Sequence, residues 1–272
     1  MNILFTNDDG VKSVYTLKLA GKLSVNNKVT IVVPKHNSSG TSHSVSFYKK
    51  IYVKKVSFEK TLKKLISDNE SDDIGISSDY NQHYDNIELY AVTGTPADCV
   101  KVAHHIMTEK HFDLVISGVN DDLNIGTDVY YSGTVGAAMQ ARILGYPSVA
   151  VSIEKGYKYF EGILDGITDL IFKLYNTKIL TAWNINIPPV PPDKIEGIRF
   201  TKVGADRYRD YYVSAGEKDR YILSGDILKD QNIDPDSDVE LIDKGFITIT
   251  PLTPERSDYS IIDKMKTENF DL

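Results

Sequence analysis

The N-terminal stretch Met1-Asn2-Ile3-Leu4-Phe5-Thr6-Asn7-Asp8-Asp9-Gly10 decides the fold. Asn2 to Thr6 is a short apolar run that reads as a strand, and it stops at the turn cluster Asn7-Asp8-Asp9-Gly10. Outward from it, residues 13–24 set Leu17, Leu19, Ala20 and Leu23 on one face of a helix. Val29 to Val33 is a second strand, closed by Pro34. Strand, helix and strand within about 33 residues have the size of a βαβ unit. Both strands are continuously apolar rather than alternating, which marks a parallel sheet covered on both faces.

The alternation continues downstream. Strands are predicted at 87–92, 113–117 and 148–152, and helices at 96–108, 134–144 and 160–175. Such alternation predicts a doubly wound α/β fold. Residues 45–86 interrupt it with a basic, β-prone stretch (Lys49, Lys50, Lys54, Lys55) and an acidic run at 67–73, together read as a solvated surface excursion. After about residue 177 helical periodicity gives way to β-prone stretches at 182–187, 198–203, 220–224 and 246–250. The division expected is a core over 1–177 and a smaller β-rich extension over 178–272, the extension serving in oligomerisation. A short helix is expected in the tail after Asp258.

The chain has 272 residues, 41% of them hydrophobic and 25% charged, which excludes a fibrous or wholly disordered protein. Cys99 is the single cysteine, so an intramolecular disulfide framework and a cysteine zinc cluster are excluded. The net charge of −7, from 38 acidic and 31 basic residues, gives no pull toward a nucleic acid polymer. Without a signal-like start or an apolar run near 18 residues, a cytoplasmic protein with no membrane span is expected.

Four loops follow predicted strands and carry the chemistry. Asn7-Asp8-Asp9-Gly10 offers adjacent carboxylates to a hard divalent cation; an Asx turn or helix cap is the alternative. Asn37-Ser38-Ser39-Gly40-Thr41-Ser42-His43-Ser44 offers hydroxyls and amides to a metal or an oxyanion, or is a plain surface loop. Ser117-Gly118-Val119-Asn120 ends a strand, and Ser132-Gly133-Thr134 opens a helix whose free N–H groups can cradle phosphate, or whose serine merely caps it. Thr93-Gly94-Thr95-Pro96 also opens a helix and can line the same cleft. In a parallel sheet these strand ends share one edge, where Asp8, Asp9, Ser39, Asn120 and Ser132-Gly133-Thr134 can converge. Carboxylates and neutral oxygens suit magnesium or manganese. A cation beside a phosphate cradle points to metal-assisted hydrolysis of a phosphate ester.

These residues resemble the SurE family, the stationary-phase survival proteins, which are metal-dependent 5′(3′)-nucleotidases. The resemblance runs through Asn7-Asp8-Asp9-Gly10, Ser39, Gly94-Thr95-Pro96-Ala97-Asp98-Cys99-Val100, Ser117-Gly118-Val119-Asn120, Ser132-Gly133-Thr134-Val135 and Gly245-Phe246-Ile247-Thr248-Ile249-Thr250-Pro251-Leu252. It implies a Rossmann-like α/β fold, a mostly parallel sheet with helices on both faces and a β-rich C-terminal extension that makes a homodimer or homotetramer. It implies one divalent metal ion per subunit on Asp8, Asp9, Ser39 and Asn120, with Asp8 and Asp9 catalytic. It places Ser132, Gly133 and Thr134 at the phosphate pocket, and Asn7, His43, Gly94, Thr95 and Asn124 complete the candidate substrate contacts. The implied substrate is a nucleoside monophosphate. A non-nucleotide phosphatase, an exopolyphosphatase and a non-catalytic nucleotide or metal sensor are the alternatives.

Three positions depart from the family pattern. Asp121-Asp122 stands where the family has a glycine-containing segment, Ser38 where it often has a basic residue, and Tyr15 where a glycine is common. These bear on substrate preference and affinity more than on the reaction.

Overall fold

A computed structural model describes residues 1–68, 84–228 and 234–268. The sheet grows outward from β1 (Asn2–Thr6), which pairs in parallel with β2 (Lys28–Pro34) on one side and β5 (Leu114–Asn120) on the other. Beyond β2 come β4 (Ile87–Val92), parallel, and the short antiparallel edge strand β3 (Val53–Val56). Beyond β5 come β6 (Ser148–Ile153) and β7 (Ala182–Ile187), both parallel, then β11 (Phe246–Leu252), antiparallel to β7, and β8 (Gly197–Phe200), parallel to β11. β9 (Tyr208–Ser214) and β10 (Tyr221–Ile227) form a separate antiparallel hairpin.

The central strands are apolar on both faces because each face is roofed. Ile3 and Phe5 of β1 join Ile31 and Ile116 in a core beneath α1 (Val14–Ser24) and α5 (Phe160–Asn176). Leu4, between them, joins Val32 and Val115 beneath α3 (Pro96–Ile106) and α4 (Gly133–Ile143). The alternation of Cβ directions along a strand sorts the residues into the two layers. Tyr15 is buried on α1. Its ring meets Phe160 of α5 edge-on, centroids 4.9 Å apart. Buried Lys18 pairs with Glu161 across the same two helices.

The fold class agrees with the expectation, and the differences have local causes. β5 runs three residues past the predicted end at 117. Gly118 there breaks the register rather than turning the chain, with φ at +115° where a Cβ would lie 2.3 Å from the Val151 carbonyl oxygen. Residues 58–68 are a helix, α2 (Phe58–Asp68), instead of a solvated excursion: Phe58, Leu62 and Leu65 recur at helical spacing and are buried. Most of the acidic run at 67–73 lies outside the described residues. Of the β-prone stretches after residue 177, those at β7, β8 and β11 complete the main sheet, and that at β10 pairs with the unanticipated β9. α6 (Asp238–Asp243) was not anticipated either, whereas α7 (Tyr259–Met265) lies in the expected tail. Among the described residues no helix is long and apolar enough to cross a membrane.

Candidate active site

β1 leads out to β2 and β4 on one side, and the chain then crosses back to lay β5 on the other, so the order of strand addition reverses between β1 and β5. In doubly wound sheets the carboxyl ends of such strands frame the binding crevice. Asp8 and Asp9 follow β1, Asn120 ends β5, and together with Ser39, Asn124 and Ser132 they line a cleft of about 520 Å³ at that point. The remaining lining includes Asp121, Asp122, Asp128, Tyr131, Lys155, Arg207 and Tyr208.

The loop after β1 is shaped from within. Asn7 is fully buried; its Nδ2 donates to Gly10 O and to Thr16 Oγ1, both at 3.0 Å, and its Oδ1 accepts from Gly10 N at 2.9 Å. Its side chain is spent on the turn and does not line the cleft. Gly10 sits at φ +81°, where a Cβ would lie 2.7 Å from the Pro34 carbonyl oxygen, so the turn requires glycine.

Asp8 is 3% exposed and is gripped by the start of α4. Thr134 Oγ1 donates to Asp8 Oδ1 at 2.6 Å and Thr134 N to Asp8 Oδ2 at 3.2 Å. Gly133 makes this approach possible, since a Cβ there would lie 2.9 Å from Asp8 Cβ. Ser132 caps the helix, its Oγ accepting from Val135 N at 3.0 Å. The helix N-terminus, read from sequence as a phosphate cradle, thus delivers Thr134 to a carboxylate. Of the three residues there, Ser132 faces the cleft.

Burial raises the Asp8 carboxyl above the ordinary carboxylate range, against the opposing pull of the Thr134 hydrogen bonds. Burial, followed by the charges of Asp8 and Asp121, pushes Asp9 up to about 7. Asp9 Oδ2 is buried with no hydrogen-bond partner. A buried carboxylate oxygen without a partner, beside a second carboxylate, is costly unless positive charge is brought to it.

Asn120 donates from Nδ2 to Asp122 O at 2.7 Å, which orients its amide. Ser39 is exposed, on a loop tied to Asp8 by a 2.7 Å bond from Ser38 N to Asp8 O. Among the described residues no three His, Cys, Asp or Glu side chains group as a metal site. The set at hand is two carboxylates, a hydroxyl and an amide. All are hard oxygen donors, and with the unpartnered Asp9 oxygen they fit magnesium or manganese rather than a softer metal.

Asn124 reaches the cleft edge but is bound to the sheet: its Nδ2 donates to Ser152 Oγ at 2.7 Å and its backbone N to Asn186 Oδ1 at 2.8 Å. His43, Gly94 and Thr95 are not brought to the cleft. His43 Nε2 lies 3.0 Å from Gln140 Oε1, in a neighbouring apolar cleft with Val135, Met139 and Leu252. Thr95 and Asp98 close a reciprocal cap on α3, Asp98 N to Thr95 Oγ1 at 3.1 Å and Thr95 N to Asp98 Oδ2 at 2.9 Å, with Gly94 packed against Asp98.

Lys155, Arg207 and Tyr208 escaped the sequence reading. Lys155 had a signal, since it follows a parallel strand at the same edge as Asn120. Arg207 and Tyr208 had none; Arg207 ends the strap that leads into β9, and Tyr208 opens that strand. The strap is fastened to the segment after β5 by Asp238, which is fully buried and accepts from Gly204 N at 2.8 Å and from Gly126 N at 3.2 Å.

Fold and cleft together define a doubly wound α/β protein with an oxygen-lined cleft at its switch point. The profile of the family described as Survival protein SurE matches residues 3–210, and the chain belongs to that family. It is 36% identical over 274 residues to "5′-nucleotidase SurE" of Petrotoga mobilis, covering 98% of each chain. It is 35% identical over 262 residues to the protein of the same name from Thermosipho africanus, covering 93% of this chain and 91% of that one. The crystal structure of the SurE protein from Aquifex aeolicus superposes with a TM-score of 0.76 at 28% identity, covering 98% of each chain.

Proposed function

We propose that the protein is a 5′-nucleotidase that hydrolyses nucleoside 5′-monophosphates to nucleoside and phosphate, with one divalent cation, magnesium or manganese, held by Asp8, Asp9, Ser39 and Asn120. The observation that carries the reading is the buried, unpartnered Asp9 oxygen beside Asp8. A divalent cation bound there draws negative charge from the phosphoryl oxygens and acidifies a water. Asp8, pinned by Thr134, gives a ligand that does not reorient during turnover. Asp9 has one oxygen unengaged and is placed to orient the attacking water. The Ser132 hydroxyl accepts from Val135 N and keeps its own proton to donate toward a phosphoryl oxygen. Lys155, exposed, adds a positive charge to the cleft lining. The family names of its relatives support the substrate class. Homodimers or homotetramers belong to the same reading, with Tyr212, Tyr221, Ile222 and Leu223 exposed on the hairpin as the self-association surface.

The test is phosphate release from nucleoside 5′- and 3′-monophosphates, p-nitrophenyl phosphate and tripolyphosphate, each with magnesium, manganese or EDTA. Metal-dependent release, fastest from 5′-monophosphates, is the expected result. No release with either metal from folded protein overturns the reading and leaves a sensor.

A further inference from the structure

The two ends of the cleft differ in charge and in origin. The end built on β1 and β5 holds the cation ligands. The other holds Asp128 from the segment after β5, Arg207 from the strap into β9 and Tyr208 at the start of β9, with Asp122 between the two ends, its carbonyl bonded to Asn120 and its charge acting on Asp128. Asp128 is pushed up to about 6 by burial, then by the charges of Asp122 and Asp210, with Arg207 opposing, so these groups lie close together.

Arg207 is built in rather than loose. Its side chain is 14% exposed and its Nη2 donates to Asp243 Oδ1 of α6 at 2.9 Å. Its Nε is buried without a partner, and its guanidinium carbon lies 6.0 Å from the centroid of the Tyr208 ring. Tyr208 is 37% exposed and lines the cleft. A tyrosine ring set beside a fixed guanidinium is a platform on which any flat heteroaromatic ring can stack.

Charge sets the direction of the substrate. Asp122 and Asp128 outnumber the single charge of Arg207, which is already paired with Asp243, so the far end repels a phosphate dianion and the phosphate belongs at the cation end. The neutral half of the ester belongs on the platform, where these carboxylates accept hydrogen bonds from amino or hydroxyl groups. We propose that Tyr208, backed by Arg207, is the stacking surface for the nucleobase, and that Asp122 and Asp128 receive the hydrogen-bond donors of the nucleoside. The proposal rests on the nucleotidase reading and names the part of the substrate that this site recognises.

Two measurements test it. The first compares kcat/KM for AMP with that for ribose 5-phosphate, which keeps the sugar phosphate and lacks the base, in wild type, Tyr208→Leu and Tyr208→Phe. The ratio falls about tenfold in Tyr208→Leu, through KM for AMP, as expected for loss of one base–aromatic stack, and holds in Tyr208→Phe. An unchanged ratio in Tyr208→Leu overturns the proposal, as does an equal fall in Tyr208→Phe. The second needs no turnover and no altered fold. Saturation-transfer NMR with adenosine and wild-type protein in EDTA detects transfer to the adenine protons, and no transfer overturns the proposal. Failure of wild type to release phosphate from any nucleoside monophosphate is a different result. It overturns the nucleotidase reading, while the adenosine measurement still decides the platform.

Discussion

Replacing Asp9 by Asn removes a charge that the folded, metal-free protein is poorly built to hold. Burial and the neighbouring Asp8 and Asp121 charges raise its pKa from an ordinary 3.8 to about 7. A carboxyl with a raised folded-state pKa stabilises most below the unfolded value, and that stability drains as pH rises toward the folded value. Each pH unit in that window corresponds to about 1.4 kcal/mol. Between about pH 5 and the folded pKa the wild type therefore loses about 2–3 kcal/mol that Asp9→Asn does not lose. In EDTA, urea unfolding should show the variant gaining on wild type by that amount between about pH 5 and about pH 8. Manganese should then raise the midpoint of wild type, because a cation that binds only the folded state stabilises it, and leave Asp9→Asn nearly unmoved. Turnover should be nearly abolished in the same folded variant. A stability difference equal at both pH values refutes the reasoning about Asp9, and retained turnover at saturating metal refutes its role.

Thr134→Val removes the hydroxyl that holds Asp8 Oδ1 at 2.6 Å; stability should fall by about 1–3 kcal/mol and manganese affinity should weaken by calorimetry, with Thr134→Ser restoring both. Gly133→Ala drives a Cβ to 2.9 Å from Asp8 Cβ; urea unfolding should show a loss of about 1–3 kcal/mol, and kcat should drop because Asp8 is displaced. Asp122→Asn replaces a charged acceptor for the nucleoside with a neutral one; KM for AMP should rise about threefold relative to KM for p-nitrophenyl phosphate, which carries no nucleoside, in a phosphate-release assay.

The carboxylate end of the cleft was legible because it obeys topology. Once β1, α1 and β2 were read as a parallel unit, Asp8, Asp9 and Asn120 had to share an edge, since each follows or ends a parallel strand. The roles within that edge were less legible. Asn7 and Thr134 are polar residues in the right loops, yet one is consumed by its own turn and the other by Asp8. Thr95 looked like a cleft residue because a Thr-Pro pair before a helix reads alike whether its hydroxyl faces a ligand or the Asp98 amide. α2 was hidden by composition: the lysines between Phe58, Leu62 and Leu65 masked their spacing. The far wall was out of reach altogether, because Arg207 and Tyr208 are about 200 residues from Asp8 and no strand-end rule brings them back.

Asp238 works as a caliper. It opens α6, fully buried and away from the cleft lining, yet its one carboxylate is clasped by backbone amides of both jaws, Gly126 on the segment after β5 and Gly204 on the strap. The spacing between the segment that carries Asp122 and Asp128 and the strap that leads to Arg207 and Tyr208 is thereby set by main-chain geometry, with little dependence on what side chains decorate the walls. Residues along either jaw can then be exchanged to change what is admitted while the gauge stays constant, and a change at position 238 alters the gauge for every ligand alike.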